Sequence, residues 1–282
     1  MKRIAMIFVL ACVLCAVAFA QQSYYVSANG DNGNDGLTES KPLKSLYWAF
    51  SYATHSSIKR ITIIGTLSED MSGIKEDYGT VFALDDDDTQ EITITGKPGA
   101  NNANRAILSA RGSSAGVLYV LANVRIRFEH IEISGGGMKK DPSFGGLVID
   151  GGASVTLGTG AIIRNNTGIG IFIYDGTCII DGGEIRDNQT GVAIDENGVL
   201  TMRSGTIRDN RADGGGGVYV KKGGRFTMTG GTITTNSATK TGGGVLVGSG
   251  GSFDQTGGTI SGNTAPQSPN VSRHRASLGK NL

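Results

Sequence analysis

Proline, cysteine and aromatic residues are all scarce in this 282-residue chain. Five prolines exclude a polyproline or collagen-like rod. Of three cysteines, Cys12 and Cys15 fall in an N-terminal apolar segment, which leaves Cys178 alone in the rest of the chain. One thiol cannot form an internal disulfide, so no disulfide framework holds the fold. Aromatics make up 6% of residues, so any core must be mainly aliphatic. Neither sign of charge dominates, with 26 Lys and Arg against 25 Asp and Glu. That balance excludes the basic footprint of a nucleic-acid binder or a polybasic membrane partner. No P-loop or HExxH motif occurs, and no calcium-binding GGxGxD repeat.

Only one long apolar run exists. Ile4 to Val17 follows Lys2 and Arg3 and precedes Ala18-Phe19-Ala20 and Gln21. A charged start, an apolar stretch and a small-x-small site predict a cleaved secretory signal over residues 1–20. The run is short for a membrane span, so no transmembrane segment is expected after cleavage. A rival assignment uses Val9-Leu10-Ala11-Cys12 as a lipoprotein box with Cys12 acylated. Either places the protein outside the cytoplasm, as an extracellular, cell-surface or periplasmic protein.

Glycine, at 45 residues, and β-branched residues are plentiful, a composition of short strands joined by tight turns. Repeats dominate the second half. Five segments carry an Ile followed three residues later by Asn: Ile163–Asn166, Ile185–Asn188, Ile207–Asn210, Ile233–Asn236 and Ile260–Asn263. The asparagines recur every 22 to 27 residues, a solenoid period. Each segment opens with an alternating apolar pair: Leu147/Ile149, Ile171/Ile173, Val192/Ile194, Val218/Val220 and Val245/Val247. A second pair follows: Val155/Leu157, Cys178/Ile180, Leu200/Met202, Phe226/Met228 and Phe253/Gln255. Alternation turns both members of a pair to one face of a strand. The Ile before each Asn marks a third strand. Three short strands per period describe one coil of an all-β, three-faced parallel β-helix, with coils stacked about 4.8 Å apart.

Each inward position then becomes a column, and Cys178 joins an apolar one, where it is a core residue. Asn166, Asn188, Asn210, Asn236 and Asn263 form a structural ladder. The expectation is that each takes the positive-φ turn position and bonds the next asparagine. Glycine runs such as Gly214 to Gly217 read as turns. Earlier segments, including Ile61–Ile64, Ile92–Thr95, Val117–Val120 and Val124–Ile133, read as strands of earlier coils. The loops Ser68–Thr80 and Asp85–Gln90 should project from them.

An amphipathic helix is expected near the start, with Ser40 in its N-cap region and Pro42 in its first turn. Leu43, Leu46, Tyr47, Phe50 and Ala53 would form its apolar face and cover the first coil. The expected organisation is a signal over 1–20, a cap over 21–58, a solenoid over 59–265 and an irregular tail over 266–282. The tail has a different composition and Gln255 breaks the inward pattern. An uncapped end of this kind points to end-to-end self-association, or to a fragment of a larger adhesin.

Tyr25-Val26-Ser27, Asn29-Gly30, Asn34-Asp35-Gly36 and Lys41-Pro42-Leu43 with the following helix resemble the N-terminal cap of bacterial right-handed parallel β-helix, pectin lyase-like proteins. The later GGGVxV and GGxFxxTGGTIxxN segments resemble repeats of secreted and surface β-helix proteins, adhesin-like ones included. The resemblance covers most of residues 24–265. It implies the fold but not the activity, because this fold hosts lyases, hydrolases and binding proteins.

The resemblance implies that an enzyme of this fold would act on acidic polysaccharide. Lyases would use calcium-binding carboxylates and a basic proton acceptor; hydrolases would use clustered aspartates near a His. No such Asp-His arrangement is legible, and His55, His130 and His274 stand without sequence partners. The catalytic candidates are a charge column: Arg164, Arg186 and Arg208, with Asp187 and Asp209 following two of them. An Arg among carboxylates could abstract a proton beside a uronate, whereas a solvated column of paired charges would only stabilise weakly. The calcium candidates are Asp85, Asp86, Asp87 and Asp88, a run of hard oxygen donors that equally suits a solvated loop. A second loop, Asp31 to Gly36, departs from the EF-hand pattern at its third and twelfth positions. No other cofactor is implied. The leading expectation is a non-enzymatic surface or secreted binding module for extracellular polysaccharide or a host or matrix protein. A polysaccharide lyase or glycoside hydrolase is the alternative.

Overall fold

A computed structural model describes residues 22–68, 80–85, 90–97, 105–110, 115–137, 141 and 145–274. The expected signal segment with Cys12, the residues Asp86, Asp87 and Asp88, most of the loop 68–80 and the end of the tail lie outside the described residues.

The described residues wind through three large parallel sheets. The opening face has eight strands, from Thr80–Asp85 through Leu147–Ile149 to Val271–Arg273. The middle face has nine, from Tyr24–Ser27 through Ala153–Leu157 to Ser252–Gln255. The isoleucine face has eight, from Thr66–Leu67 through Ile162–Arg164 to Thr259–Ser261. Every ladder joins like strands of successive coils, so register is coil on coil: Ile163 pairs Ile185, Ile185 pairs Ile207, and Ile207 pairs Ile233.

This register follows from the alternating pattern. A slip of one residue would turn each buried side chain to solvent. The inward columns are almost wholly excluded from water, from Ile126, Val155, Cys178 and Leu200 to Phe226 on the middle face. Each such aliphatic side chain contributes about 1.5–3 kcal/mol relative to an exposed one. Phe226 and Phe253 stack with ring centroids 4.7 Å apart. Opposite Met228, Gln255 is exposed, where the sequence departs from the inward pattern.

The asparagine ladder is continuous. The side-chain amide of Asn166 donates to Oδ1 of Asn188 at 2.9 Å, and Asn188, Asn210 and Asn236 repeat the bond at 3.0, 2.9 and 3.0 Å. Each Oδ1 also accepts the backbone N–H of the preceding asparagine, as Asn188 N–H donates to Asn210 at 3.0 Å. The ladder runs one step past the expectation, because Asn263 donates to Asn270 at 3.2 Å. One expectation is corrected. The ladder residues are not the positive-φ residues; their predecessors Asn165, Asp187, Asp209 and Thr235 are, at φ 54 to 56°. The ladder amide must point inward to reach its neighbour, and the residue before it makes the bend. Against this ladder lies a column of glycines. A Cβ on Gly191 would lie 2.4 Å from the Gly217 carbonyl oxygen and 2.9 Å from the Asn210 amide.

Three further expectations change. The helix spans Leu46–Thr54 with N-cap Ser45, so it starts after Pro42, and Leu43 instead bridges to Val26. Lys44 and Ser45 N–H groups donate to Asn32 Oδ1 at 3.0 and 2.9 Å, which fixes the entry to the helix. Leu46, Ala49, Phe50, Ala53 and Thr54 are its buried residues; Tyr47 is partly exposed. Lys59 Nζ donates to the Ala53 and Thr54 carbonyls at 2.8 and 3.0 Å and so closes the helix C-terminus. The helix packs on the first strands of the opening and middle faces.

Second, the segment after 265 is not wholly irregular, since Val271–Arg273 pairs with Val245–Val247. Third, Gly214 belongs to a strand. Arg211–Gly214 and Ser237–Thr241 form a separate two-stranded parallel sheet. The glycine run hid this strand, because its first residue ends the strand before the turn begins.

Candidate functional site

The charge column lies on the outer side of the isoleucine face. Its register places Arg164, Arg186 and Arg208 on three successive strands. Like charges this close need counter-charges, and the fold supplies them. Arg164 Nη2 lies 2.8 Å from Glu132 Oε2. Glu184 Oε1 is shared by Arg186, at 3.4 Å, and Arg208, at 2.6 Å. Asp187 and Asp209 pair with their own neighbours Arg186 and Arg208. Three guanidinium groups therefore stand among four carboxylates.

Asp187 and Asp209 have a second task, as positive-φ residues in the bend before the ladder. Thr235 and then Arg208 hold the Asp209 carboxyl below its ordinary pKa. Burial lowers the Arg208 pKa, but hydrogen bonds to Asp209 and Glu184 outweigh this, so the net shift is upward. A proton-abstracting Arg must shed its proton, and this arrangement opposes that. Glu132 and Glu184 were missed in the sequence. Their signal was present: with Ile185 inward, strand alternation turns both Glu184 and Arg186 outward.

Asp85 ends its strand exposed to solvent, apart from the column. Among the described residues, no three His, Cys, Asp or Glu side chains are arranged to hold a metal. In the Asp31–Gly36 loop the oxygens serve local turns. Asp31 Oδ1 accepts Gly33 N–H at 2.9 Å and Asp35 Oδ1 accepts Leu37 N–H at 3.0 Å. Cys178 is fully buried, and burial pushes its thiol pKa up to about 12.

A polar hollow of about 530 Å³ opens on the middle face near the cap. Arg60 and His130 line it, with Glu39 and Lys97 paired at its edge. Glu129 lies 3.8 Å from Arg60 and accepts from Arg127 Nε at 2.7 Å. That hydrogen bond raises the Arg127 pKa. His130 sits exposed in a bend between two strands, at φ 49°. Sequence order does not bring Arg60 and Glu129 together; coil stacking does.

One more feature escaped the sequence. The outward column of the opening face is apolar: Tyr119, Val148, Phe172, Ala193, Tyr219 and Leu246 in register. Its signal is the residue between the members of each opening pair, which is apolar in all of these strands.

Comparison with known proteins places this geometry in a family. Residues 86–265 match the right handed beta helix region, and the chain belongs to that family. No curated protein matches. Among solved structures, the chain is similar to a GH136 lacto-N-biosidase from Eubacterium ramulus, at 10% identity and a TM-score of 0.30, over 90% of this chain and 68% of that one. No helix among the described residues is long and apolar enough to cross a membrane.

Proposed function

We propose that this β-helix is an exported, non-enzymatic binding module, secreted or displayed on a cell surface, that holds extracellular glycans or host or matrix polymers. The observation that carries this is the self-neutralised charge column. Arg186 and Arg208, the strongest candidates for catalysis in the sequence, are both held by carboxylates, Arg186 by two on its own coil and Arg208 by one on its own coil and one on the adjacent coil. What the faces offer a ligand is long, regular rows of side chains, which suit an extended polymer. N-terminal sequencing of the exported protein tests the first part, with cleavage after Ala20 as the expected result.

The function is tested by incubating the protein with polygalacturonate, with and without Ca²⁺, while following absorbance of unsaturated uronate. Parallel binding is measured on glycan and matrix-protein arrays. Array binding without an absorbance rise is expected; steady product formation would overturn the proposal. A second reading, a lyase or hydrolase on acidic polysaccharide, draws on the hollow lined by Arg60 and His130, with Glu129 3.8 Å from Arg60. Arg60→Gln and His130→Ala would then abolish turnover.

A further inference from the structure

We propose that the opening face carries a binding site for an extended, uncharged glycan, with Phe172 and Tyr219 as its stacking platforms. This rests on the binding-module reading and names its ligand class and location.

The outward column of a solvated sheet is ordinarily polar. The matching column of the middle face is mostly polar, with Arg127, Thr156, Thr201, Thr227 and Asp254 and a single Ile179 among them. The opening face breaks it, and with a period. Tyr119, Phe172 and Tyr219 occupy every second coil, separated by the smaller Val148 and Ala193. Parallel strands about 4.8 Å apart therefore repeat an aromatic ring about every 10 Å. An extended glycan of two-fold symmetry turns the same face of its sugars to one side at every second unit. The C–H faces of those sugars match apolar rings, while their hydroxyls need polar walls.

A wall stands beside Tyr219, and Phe172 continues the apolar column two coils away, outside the walled groove. A groove of about 610 Å³ has Ile169, Tyr219 and Leu246 on its floor and Arg211, Asp213 and Lys240 along its side. The side is the two-stranded sheet, which stands out from the solenoid. Gly215 and Gly242, at φ 66 and 64°, turn the chain from this wall back onto the face. A Cβ at these positions would press on Tyr219 and Leu246, at 2.7 and 2.9 Å from their Cβ atoms.

Charge decides which glycan. Asp213 is paired with Lys240 at 3.2 Å and accepts from Thr239 at 2.9 Å. Asp195 is paired with Lys221 at 2.9 Å. Along the groove side Asp213 is paired with Lys240 and Arg211 adds one further cation, too few for a uronate polymer charged at every unit, so the apolar rings favour a neutral chain. Lys221 leans over Phe172, with Nζ 5.1 Å from the ring centroid, and a sugar seated there displaces it to the rim. Beside Phe172 stands Tyr174, 37% exposed, with ring centroids 6.2 Å apart. Its hydroxyl donates to Glu196, which raises the phenol's pKa.

Titration calorimetry on the full chain tests this, with cellohexaose as the neutral two-fold probe and polygalacturonate as the acidic one. Binding of cellohexaose is expected, weakened at least about tenfold by Phe172→Ala or Tyr219→Ala. Tyr219→Trp should retain it, and Arg208→Gln, on another face, should leave it unchanged. Circular dichroism confirms folding of each variant. Should an alanine variant unfold, nitration of the wild type replaces it, with cellohexaose expected to protect Tyr219. Cellohexaose binding indifferent to both alanine variants, or no protection of Tyr219, overturns the groove and leaves the binding module standing. Preference for polygalacturonate, or binding to matrix protein alone, also overturns the groove only. No binding to any glycan or matrix probe overturns both.

Discussion

The coils before residue 137 and those after residue 145 solve the same turn by different means. In the later coils an asparagine closes each bend from the isoleucine face, and its amide is bonded above and below. In the earlier coils Gly136 stands where Asn166 stands one coil later, and with no side chain it meets the ladder through its backbone alone, donating its N–H to Asn166 Oδ1 at 2.9 Å. Without the ladder, the earlier coils depend on their apolar core: Phe82 and Phe128 are fully buried, and the helix brings Phe50 to the end of the stack, whereas the later coils have both the ladder and buried Phe226. A polar ladder demands coils of nearly equal length, because each amide must meet the next. An apolar core tolerates the longer excursions of the earlier coils.

The sharpest way to break this comparison is to remove bulk from the earlier half. Phe128→Ala should cost about 3–5 kcal/mol, read as a fall in denaturant midpoint. Removing one ladder rung comes next. Asn210→Leu leaves the Asn188 N–H and amide without their acceptor and should cost about 3 kcal/mol. Hydrogen exchange should accelerate at Asn188 and its coil neighbours, while the earlier coils keep their protection. Uniform acceleration would show that the two halves do not differ in this way.

Smaller effects sharpen the contrast. Arg208→Gln should change stability by less than about 1 kcal/mol, because its pairs are part-exposed. The depressed pKa of Asp209 makes a small stabilising contribution above about pH 4, lost as pH falls further; Asp209→Asn should remove that dependence. The least change is expected at Cys178, which should resist alkylation at pH 8 in the folded protein. Its raised pKa means that its contribution is complete below about pH 8.5 and declines as pH rises above that, since only the unfolded thiol then ionises. Rapid labelling under native conditions would contradict its place in the core.

Much of the later half was legible because its coils repeat. The Ile and Asn columns, the inward place of Cys178 and the break at Gln255 all followed from period and alternation. The errors lay where neighbours in sequence share a composition but differ in geometry. Period alone did not say which residue of Asp187-Asn188 makes the bend, or that Gly214 ends a strand while Gly215 turns. The helix start was misplaced because Pro42 suits a first turn as well as the bridge before one. Of the charge column, the arginines and aspartates were visible; the shared role of Glu184 needed two coils in place.

The sequence by itself determined that this chain coils, which side chains point inward, and that amides pile into a file. Those outcomes depend on local alternation and on a period that recurs along the chain. Only the tertiary structure decided that arginines on successive coils neutralise against Glu132 and Glu184, that Arg60 meets Glu129, and that aromatic rings line one outer face beside a raised wall. The physical reason is that these contacts form between coils, across distances in sequence that no local pattern encodes.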